Sequence, residues 1–221
     1  MKRRQKNSGN SGSIVRVDPS NPNPDLIQAA VKIIRNNGVV VFPTSGLYGI
    51  GADAFCAEAV RRVFAIKRRP AHKPVLVLLS GIHDMDKVVR TVPDYAEPLL
   101  GLWPGGITFI FKAGDSVPAD LTGGTGKIGL RMPAHPVAKA LAERFGGPIT
   151  GTSANLSGRP ASASVTDLDP EIHRQVDMVL DAGALAGGSG STILDVTCWP
   201  VKVIREGAVT RQAIDDVLRN G

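Results

Sequence analysis

The chain contains few cysteines, and Cys56 and Cys198 lie far apart in the sequence. Two thiols are too few for a zinc cluster or a disulfide framework, which excludes the small cross-linked domains of secreted proteins. The four histidines are scattered and no pair has the helical spacing of metal ligands, so we expect no metal ion held by protein ligands alone. This cysteine usage is typical of a reducing cytoplasm, where we expect the protein to reside.

Long apolar segments are also absent. No stretch approaches the roughly 20 apolar residues that cross a bilayer, and no apolar core follows the charged N-terminus, so we expect neither a membrane span nor a signal peptide. Of the 221 residues, 43% are hydrophobic although only 5% are aromatic, which is enough for one substantial core. We predict one folded domain at residues 14–221, preceded by a disordered basic tail at residues 1–13.

Acidic residues are missing from this tail, which supplies four of the 26 lysines and arginines of the chain. The formal net charge of +6 therefore falls to +2 for the remaining 22 basic and 20 acidic residues. A basic tail of this length is more often a solvated extension than a nucleic-acid site. Direct RNA binding stays open as an alternative, and local clusters of charge are more informative than the total.

Strand-like and helix-like segments alternate along the chain. Apolar residues at helical spacing, with Asn23 as the cap and Gly38 as the stop, predict a first helix. This alternation favours a three-layer α/β domain with a twisted open sheet that is largely, though not wholly, parallel. We predict further helices at 57–67, 85–92, 95–102, 136–145 and 211–219, and strands at 14–17, 39–42, 75–79, 107–111, 127–131, 179–181, 191–196 and 201–205.

Three loops carry candidate chemistry. Residues 148–158 are small hydroxyl, amide and glycine residues, which suit an anion-binding loop but are also typical of surface turns. Residues 67–73 contain four cations at a helix end, more than the helix dipole requires, and indicate either a phosphate site or a solvated turn. A glycine and hydroxyl loop at 187–192 leads into a strand, and Arg131 and Arg205 follow strands, where ligands of open sheets collect.

Two familiar nucleotide motifs fail on inspection of their spacing. The segment 123–127 ends in Gly-Lys, but Leu121 stands where a P-loop has its first glycine and Ile128 where it has Ser or Thr. The segment 49–54 imitates a dinucleotide fingerprint, but the chain is basic where a ribose-binding acid belongs. Neither a Walker loop nor a Rossmann site is therefore predicted.

Seven segments of the chain, however, form a more specific pattern. They are Pro-Thr and Tyr-Gly within 43–49, Lys-Arg-Arg-Pro at 67–70, Trp-Pro-Gly at 103–105, Gly-Leu-Arg-Met-Pro at 129–133, Thr-Ser-Ala-Asn-Leu-Ser-Gly at 152–158, Ser-Thr-Ile-Leu-Asp at 191–195 and Arg-Glu-Gly at 205–207. In this order they resemble the YrdC-like family of threonylcarbamoyl-AMP synthases, in its short, single-domain form.

The resemblance implies a twisted open α/β sheet, mixed or parallel, with flanking helices and a large concave, positively charged cavity. It also implies that L-threonine, bicarbonate and ATP are joined into threonylcarbamoyl-AMP with release of pyrophosphate. Magnesium would arrive with ATP as the substrate complex. A separate transferase complex would then place the threonylcarbamoyl group on tRNA.

The resemblance also assigns roles to residues of this chain. Lys67, Arg69, Ser153 and Asn155 would be catalytic. The ATP-binding set would be Lys67, Arg69, Lys73, Lys127, Ser153, Asn155, Ala161 and Arg205. The threonine-binding set would be Thr44, Gly46, Arg131, Gly151 and Ser191.

The chain departs from the family pattern at two places. Ser45 and Gly46 replace an acidic residue and a threonine, and Leu78 stands where many relatives have a histidine. These changes bear on amino-acid selectivity. They also leave open a non-catalytic RNA-binding paralogue that keeps the cavity without the reaction; a carbamoyl-transfer module of hydrogenase maturation would belong to a much longer chain.

Overall fold

The computed structural model describes residues 12–220, so the tail predicted at residues 1–13 lies largely outside the described residues. The strands are β1 (Ser13–Arg16), β2 (Val40–Pro43), β3 (Tyr48–Gly51), β4 (Val77–Leu78), β5 (Ile107–Lys112), β6 (Lys127–Arg131), β7 (Ile149–Thr150), β8 (Thr152–Ser153), β9 (Met178–Asp181), β10 (Thr192–Asp195) and β11 (Lys202–Arg205). The helices are α1 (Pro24–Arg35), α2 (Ala57–Lys67), α3 (Met85–Val88), α4 (Ala119–Thr122), α5 (Pro136–Phe145), α6 (Pro170–Gln175) and α7 (Arg211–Asn220).

The strands form two mixed sheets rather than the one sheet expected. The first has the order β1-β9-β2-β3-β8 and the second the order β11-β10-β5-β6-β4-β7. Parallel pairs such as β2 with β9 and β5 with β10 lie beside antiparallel pairs such as β2 with β3 and β5 with β6. The predicted α/β class with flanking helices is therefore confirmed, and the mixed character of the sheet with it.

The β2–β3 hairpin explains why the first sheet was not recognised. Residues 43–51 look like a glycine-rich loop, yet Tyr48–Gly51 pair antiparallel with β2. A Cβ atom at Gly51 would lie 2.6 Å from the ring of Phe42 and 2.7 Å from the carbonyl oxygen of Thr150. Glycine is therefore needed here for close packing between neighbouring strands, although it is a poor strand former by propensity.

Helix α1 shows how local sequence sets an element. The side chain of Asn23 accepts a hydrogen bond from the backbone N–H of Asp25 at 2.8 Å, and Pro24 suits the first turn. The buried face of α1 is Ile27, Ala30, Val31 and Ile34, as the helical spacing predicts. These residues join one apolar cluster with β2 and α5.

The predicted helices at 85–92 and 95–102 are much shorter in the structure. They are the four-residue α3 and 3-10 segments at Asp94–Ala96 and Pro98–Leu102. Helix α3 ends because Val89 is extended and pairs with Ala113. Pro98 interrupts the second segment, because proline lacks the backbone donor of a continuous helix. The predicted strand at 75–79 is reduced to β4, while α4 and α6 were not predicted.

Strand β6 positions two cations of the site. Its residues alternate, with Ile128 and Leu130 fully buried and Lys127, Gly129 and Arg131 only partly buried. Because side chains alternate between the faces of a strand, the apolar pair enters the core and the two cations share the opposite face. The Lys-Ile-Gly-Leu-Arg sequence thus gives a core face and a polar face in five residues.

We expect Ile128→Ala to lower the free energy of unfolding by about 2–5 kcal/mol, since it leaves a cavity in the core. Ile82→Ala is a matched control, because the Ile82 side chain is 53% exposed and its loss should cost less than about 0.5 kcal/mol. Urea unfolding monitored by circular dichroism measures both. Equal effects for the two variants would contradict the assigned faces of β6.

Candidate active site

A cavity of about 900 Å³ is lined by residues from both sheets. This volume lies within the range of roughly 300–1,000 Å³ that is usual for small-molecule sites. The wall is formed by the β2–β3 turn, the loop after α2, strands β4 to β6, the β7–β8 region, and the loop that leads into β10 and β11. The loops singled out in the sequence therefore meet in one place.

The charge of the cavity is strongly one-sided. Of the residues between 12 and 220, five cations line the cavity, and no aspartate, glutamate or histidine does. Such a wall is suited to a ligand with several negative charges. The five are Arg69, Lys127, Arg131, Arg159 and Arg205.

In the described part of the chain, neither Arg131 nor Arg205 pairs with an acidic side chain. Nε of Arg131 donates to the carbonyl oxygen of Gly105 at 2.8 Å, and Nη2 of Arg205 donates to that of Ser191 at 2.6 Å. Burial, with a smaller contribution from the charge of Arg205, lowers the pKa of Arg131. The carbonyls orient the two guanidinium groups without neutralising them, so an anion bound here would satisfy both.

Lys127 and Ser191 have partners of their own. Nζ of Lys127 lies 2.8 Å from the Asp195 carboxylate, which offsets part of its positive charge. The hydroxyl groups of Ser191 and Thr108 are 2.9 Å apart and both residues are buried. This hydroxyl pair supplies neutral hydrogen-bonding groups next to Arg205.

The loop at 152–158 is held from behind by Lys67. The Lys67 side chain is only 2% exposed, and its Nζ donates to the carbonyl oxygen of Ser153 and to that of Asn155, the latter at 2.8 Å. Burial, with a smaller effect of the nearby charge of Arg69, lowers the pKa of Lys67 to about 7. Lys67 therefore supports the loop and does not form part of the cavity wall.

Asn155 is likewise engaged within its own loop. Its Oδ1 accepts from the Ser153 hydroxyl and its Nδ2 donates to the carbonyl oxygens of Leu156 at 2.9 Å and Arg159 at 2.6 Å. Since the amide uses both its oxygen and its nitrogen in this way, its orientation is fixed by its partners. The Ser153 hydroxyl donates to Asn155, and its oxygen can still accept a hydrogen bond or contact a cation in the cavity.

The three consecutive cations at the end of α2 have three different environments. Arg68 adopts the left-handed conformation with φ 49°, which ends the helix and turns the chain. Lys67 points inward to the loop, Arg68 pairs with Glu171 at 2.7 Å on the outside, and Arg69 reaches the cavity. Charge density in the sequence therefore did not show which cation faces the ligand.

The structure brings together all the predicted site residues except two. Thr44, Gly46, Arg69, Lys127, Arg131, Gly151, Ser153, Asn155, Ala161, Ser191 and Arg205 line the cavity. Lys67 is buried behind the wall, and Lys73 is exposed outside it, with only its backbone carbonyl accepting from Nε of Arg69 at 3.2 Å. The ATP-binding role that the resemblance gives to Lys67 and Lys73 stays a prediction.

The two departures from the family pattern both lie in the cavity wall. A Cβ atom at Gly46 would lie 2.1 Å from the carbonyl oxygen of Gly187, whose N–H donates to the Gly46 carbonyl at 2.9 Å. Leu78 packs on Gly151. A Cβ atom at Gly151 would lie 2.4 Å from Cγ of Leu78. No side chain fits at Gly46 without moving the glycine loop, so this part of the wall is backbone.

Sequence reasoning missed Arg159 and Thr108 as wall residues. Thr108 is the third residue after the Trp-Pro-Gly segment, and Arg159 directly follows the Ser-Ala-Asn-Leu-Ser-Gly loop. Both sit next to recognised motifs, which is the signal that could have found them. The Thr108 hydroxyl and the Arg159 guanidinium reach the cavity because the motif next to each residue lines the same cavity.

Two further findings concern metal ions and membranes. Between residues 12 and 220, no group of three or more His, Cys, Asp or Glu side chains is arranged to hold a metal ion. None of the helices in this same range is long and apolar enough to cross a bilayer.

Fold and cavity together define an α/β protein with a basic cavity, lined by no acidic side chain of residues 12–220, that is suited to polyanionic small molecules. The family model described as "Telomere recombination", which covers Sua5, YciO and YrdC, matches residues 32–207. The chain therefore belongs to the Sua5/YciO/YrdC family, and the resemblance found in the sequence is confirmed.

Individual relatives agree with this assignment. The threonylcarbamoyl-AMP synthase of Pyrococcus abyssi (strain GE5 / Orsay) is 34% identical over 193 residues, which are 87% of this chain and 57% of that protein. The threonylcarbamoyl-AMP synthase of Xanthomonas campestris pv. campestris (strain B100) is 35% identical over 191 residues, 85% of this chain and 97% of that protein. This chain thus spans less than three fifths of the archaeal relative and nearly all of the bacterial one.

A solved structure shows the same fold. The crystal structure of P. abyssi Sua5 complexed with L-threonine superposes on this chain with a TM-score of 0.86 at 32% identity. The match covers 93% of this chain and 60% of the other. The two-sheet architecture is therefore that of a Sua5 domain.

We predict that Lys67→Met loosens the loop at 152–158 while the protein stays folded. Methionine fills a similar volume, but the carbonyl groups of Ser153 and Asn155 lose their donor. Hydrogen–deuterium exchange should show faster exchange in peptides covering 152–158. Lys73→Met, at an exposed site outside the cavity, is the control and should leave that exchange unchanged; similar rates in wild type and Lys67→Met would refute the assigned support.

The pKa of Lys67 also predicts a pH dependence. A lysine with a folded pKa of about 7 binds fewer protons in the native than in the unfolded chain, where its pKa is about 10.4. The contribution of Lys67 to the free energy of unfolding should therefore rise as the pH increases from about 7 to about 10.4. Below pH 7 this contribution should not change with pH. Denaturant unfolding of wild type and Lys67→Met from pH 6 to 10 measures this, and parallel curves would contradict it.

Proposed function

We propose that this protein is an L-threonylcarbamoyladenylate synthase, which joins L-threonine, bicarbonate and ATP and releases pyrophosphate. The observation that carries this proposal is the single cavity lined by five cations and, within residues 12–220, by no carboxylate. The names of the relatives and the threonine bound to P. abyssi Sua5 support the choice of substrates.

The proposed reaction places two anions against each other. Bicarbonate is dehydrated to carbon dioxide, and the neutral amine of threonine adds to it and loses one proton to solvent. An oxygen of the resulting carbamate then attacks the α-phosphate of ATP. A new phosphorus–oxygen bond forms as the bond to pyrophosphate breaks. Because carbamate and triphosphate repel each other, fixed cations lower the barrier by bringing them together and neutralising charge.

The roles proposed for individual residues are those that the resemblance implies, for the residues that line the cavity. We assign the threonine carboxylate to Arg131, whose guanidinium is oriented by Gly105 but not neutralised. Thr44, Gly46, Gly151 and Ser191 would line the amino-acid end. Arg69 and the Ser153 loop would bind the phosphates, with Arg205, Lys127 and Ala161 on the nucleotide.

No histidine or carboxylate of residues 12–220 lines the cavity, so in this proposal the protons of the threonine amine pass to solvent and no wall residue acts as a base. Magnesium is expected as part of the ATP complex, and the hydroxyl and carbonyl oxygens of the wall suit such a hard cation. The metal would neutralise part of the phosphate charge.

We also propose the wider setting that the family implies. Residues 12–220 act as one domain, and the unstable adenylate passes to a transferase complex that modifies tRNA. The RNA-binding alternative has no comparable support. The described cavity has no feature that favours RNA over a small nucleotide as its ligand.

Purified protein with threonine, bicarbonate, ATP and magnesium should release pyrophosphate, measured by a coupled phosphate assay. Arg69→Ala should lower the rate by about 100-fold or more, since it removes a fixed charge at the phosphates. Arg68→Ala is the matched control, because Arg68 pairs with Glu171 outside the cavity. If wild type releases no pyrophosphate in response to threonine, the synthase assignment is wrong. The RNA-binding hypothesis would then be the one to test.

A second variant tests the amino-acid end. Arg131→Ala should raise the KM for threonine by about tenfold or more with a much smaller change in the KM for ATP, because a charge-assisted contact to the carboxylate is lost. Steady-state kinetics with each substrate varied in turn separate the two values. A selective rise in the KM for ATP would place Arg131 on the nucleotide instead.

A further inference from the structure

Arg159 is the cation of the cavity that none of the motifs assigns. Its side chain is exposed and lines the cavity. Within residues 12–220 its guanidinium has no hydrogen-bond or ion-pair partner. Its backbone, by contrast, is fixed: the N–H donates to the Leu156 carbonyl at 3.0 Å and the carbonyl accepts from Nδ2 of Asn155 at 2.6 Å.

The other four cations of the wall are already engaged. Lys127 pairs with Asp195, Arg131 and Arg205 donate to backbone carbonyls, and Arg69 donates to the carbonyls of Lys73 at 3.2 Å and Pro74 at 2.6 Å. Arg159 alone among the five has all its donors available, as far as the described residues go. A free arginine on a fixed backbone can form a bidentate contact with an anion at little cost to the fold.

Two of the cations that the resemblance assigns to ATP are not among the residues that line the cavity. Lys67 is buried behind the loop and Lys73 lies outside the wall, so of the cations at residues 67–73 only Arg69 faces the cavity. Arg159 belongs to the same loop as Ser153 and is joined to it through Asn155. Arg159 therefore lies beside Ser153 and Asn155, which the resemblance assigns to ATP.

We propose that Arg159 binds the terminal phosphates of ATP and the pyrophosphate that leaves. This inference rests on the proposed function and adds to it a cavity cation that lies outside the ATP-binding set implied by the resemblance. Arg159 acts on the β- and γ-phosphates, so it distinguishes ATP from AMP.

The test compares Arg159→Ala and Arg159→Glu with wild type by isothermal titration calorimetry, using magnesium ATP and, separately, AMP. The affinity for ATP should fall about tenfold in the alanine variant and further in the glutamate variant, while the affinity for AMP changes less than twofold. Arg174→Ala and Arg174→Glu are matched controls. Arg174 is exposed, does not line the cavity, and has no ion-pair partner in the described part of the chain.

Three results would overturn the role of Arg159: unchanged ATP affinity, an equal loss for ATP and AMP, or an equal effect at Arg174. Arg159→Lys should restore part of the affinity, and thermal unfolding of each variant checks that the fold is intact. Failure of the synthase assignment looks different, since wild type would then bind ATP but release no pyrophosphate with threonine. The binding comparison still decides the role of Arg159 in that case.

Discussion

The site depends on arginines that are held in place without being neutralised. Carbonyl oxygens of Gly105, Ser191 and Pro74 accept from Arg131, Arg205 and Arg69, while acidic side chains of residues 12–220 stay out of the wall. A carbonyl fixes the direction of a guanidinium and leaves its charge available to a ligand. The fold thus holds cations close together although they repel each other, and bound anions relieve this repulsion. Preorganised electrostatic sites operate in this way.

The fold provides this arrangement through alternation in one strand and through one turn. In β6 the apolar residues enter the core and the cations face the cavity, so stability and binding use opposite sides of the same five residues. At the end of α2, the left-handed Arg68 separates a structural lysine from a cavity arginine. Arg68, which pairs with Glu171, lies outside the wall, whereas Lys127 lines it although Asp195 offsets part of its charge.

Sequence patterns predicted the parts of the fold with clear periodicity. Helices α1, α2 and α5 and strand β6 follow from apolar spacing and caps, and their observed bounds lie close to the predicted ones. The two-sheet arrangement did not follow, because β3, β7 and β8 are short and contain glycine or hydroxyl residues that look like loops. Pairing between strands distant in sequence supplies their stability, and local propensity does not record it.

The site was predicted as a set of motifs, and the structure gathers most of them around one cavity. Lys67 and Lys73 could not be separated from Arg69 by sequence, because burial and chain direction after α2 decide which charge reaches the ligand. Arg159 was missed because it carries no motif of its own. The cytoplasmic location and the disordered tail stay predictions.

The most direct test of the central claim asks whether the cavity binds ATP and threonine at the same time. Magnesium ATP should be titrated calorimetrically into the protein with and without saturating threonine, in buffer freed of carbon dioxide so that no carbamate forms. The account predicts that ATP binds in both cases, with an affinity in the presence of threonine that is equal or higher. Loss of ATP binding in proportion to threonine would show that the two ligands compete for one set of charges and would contradict the account.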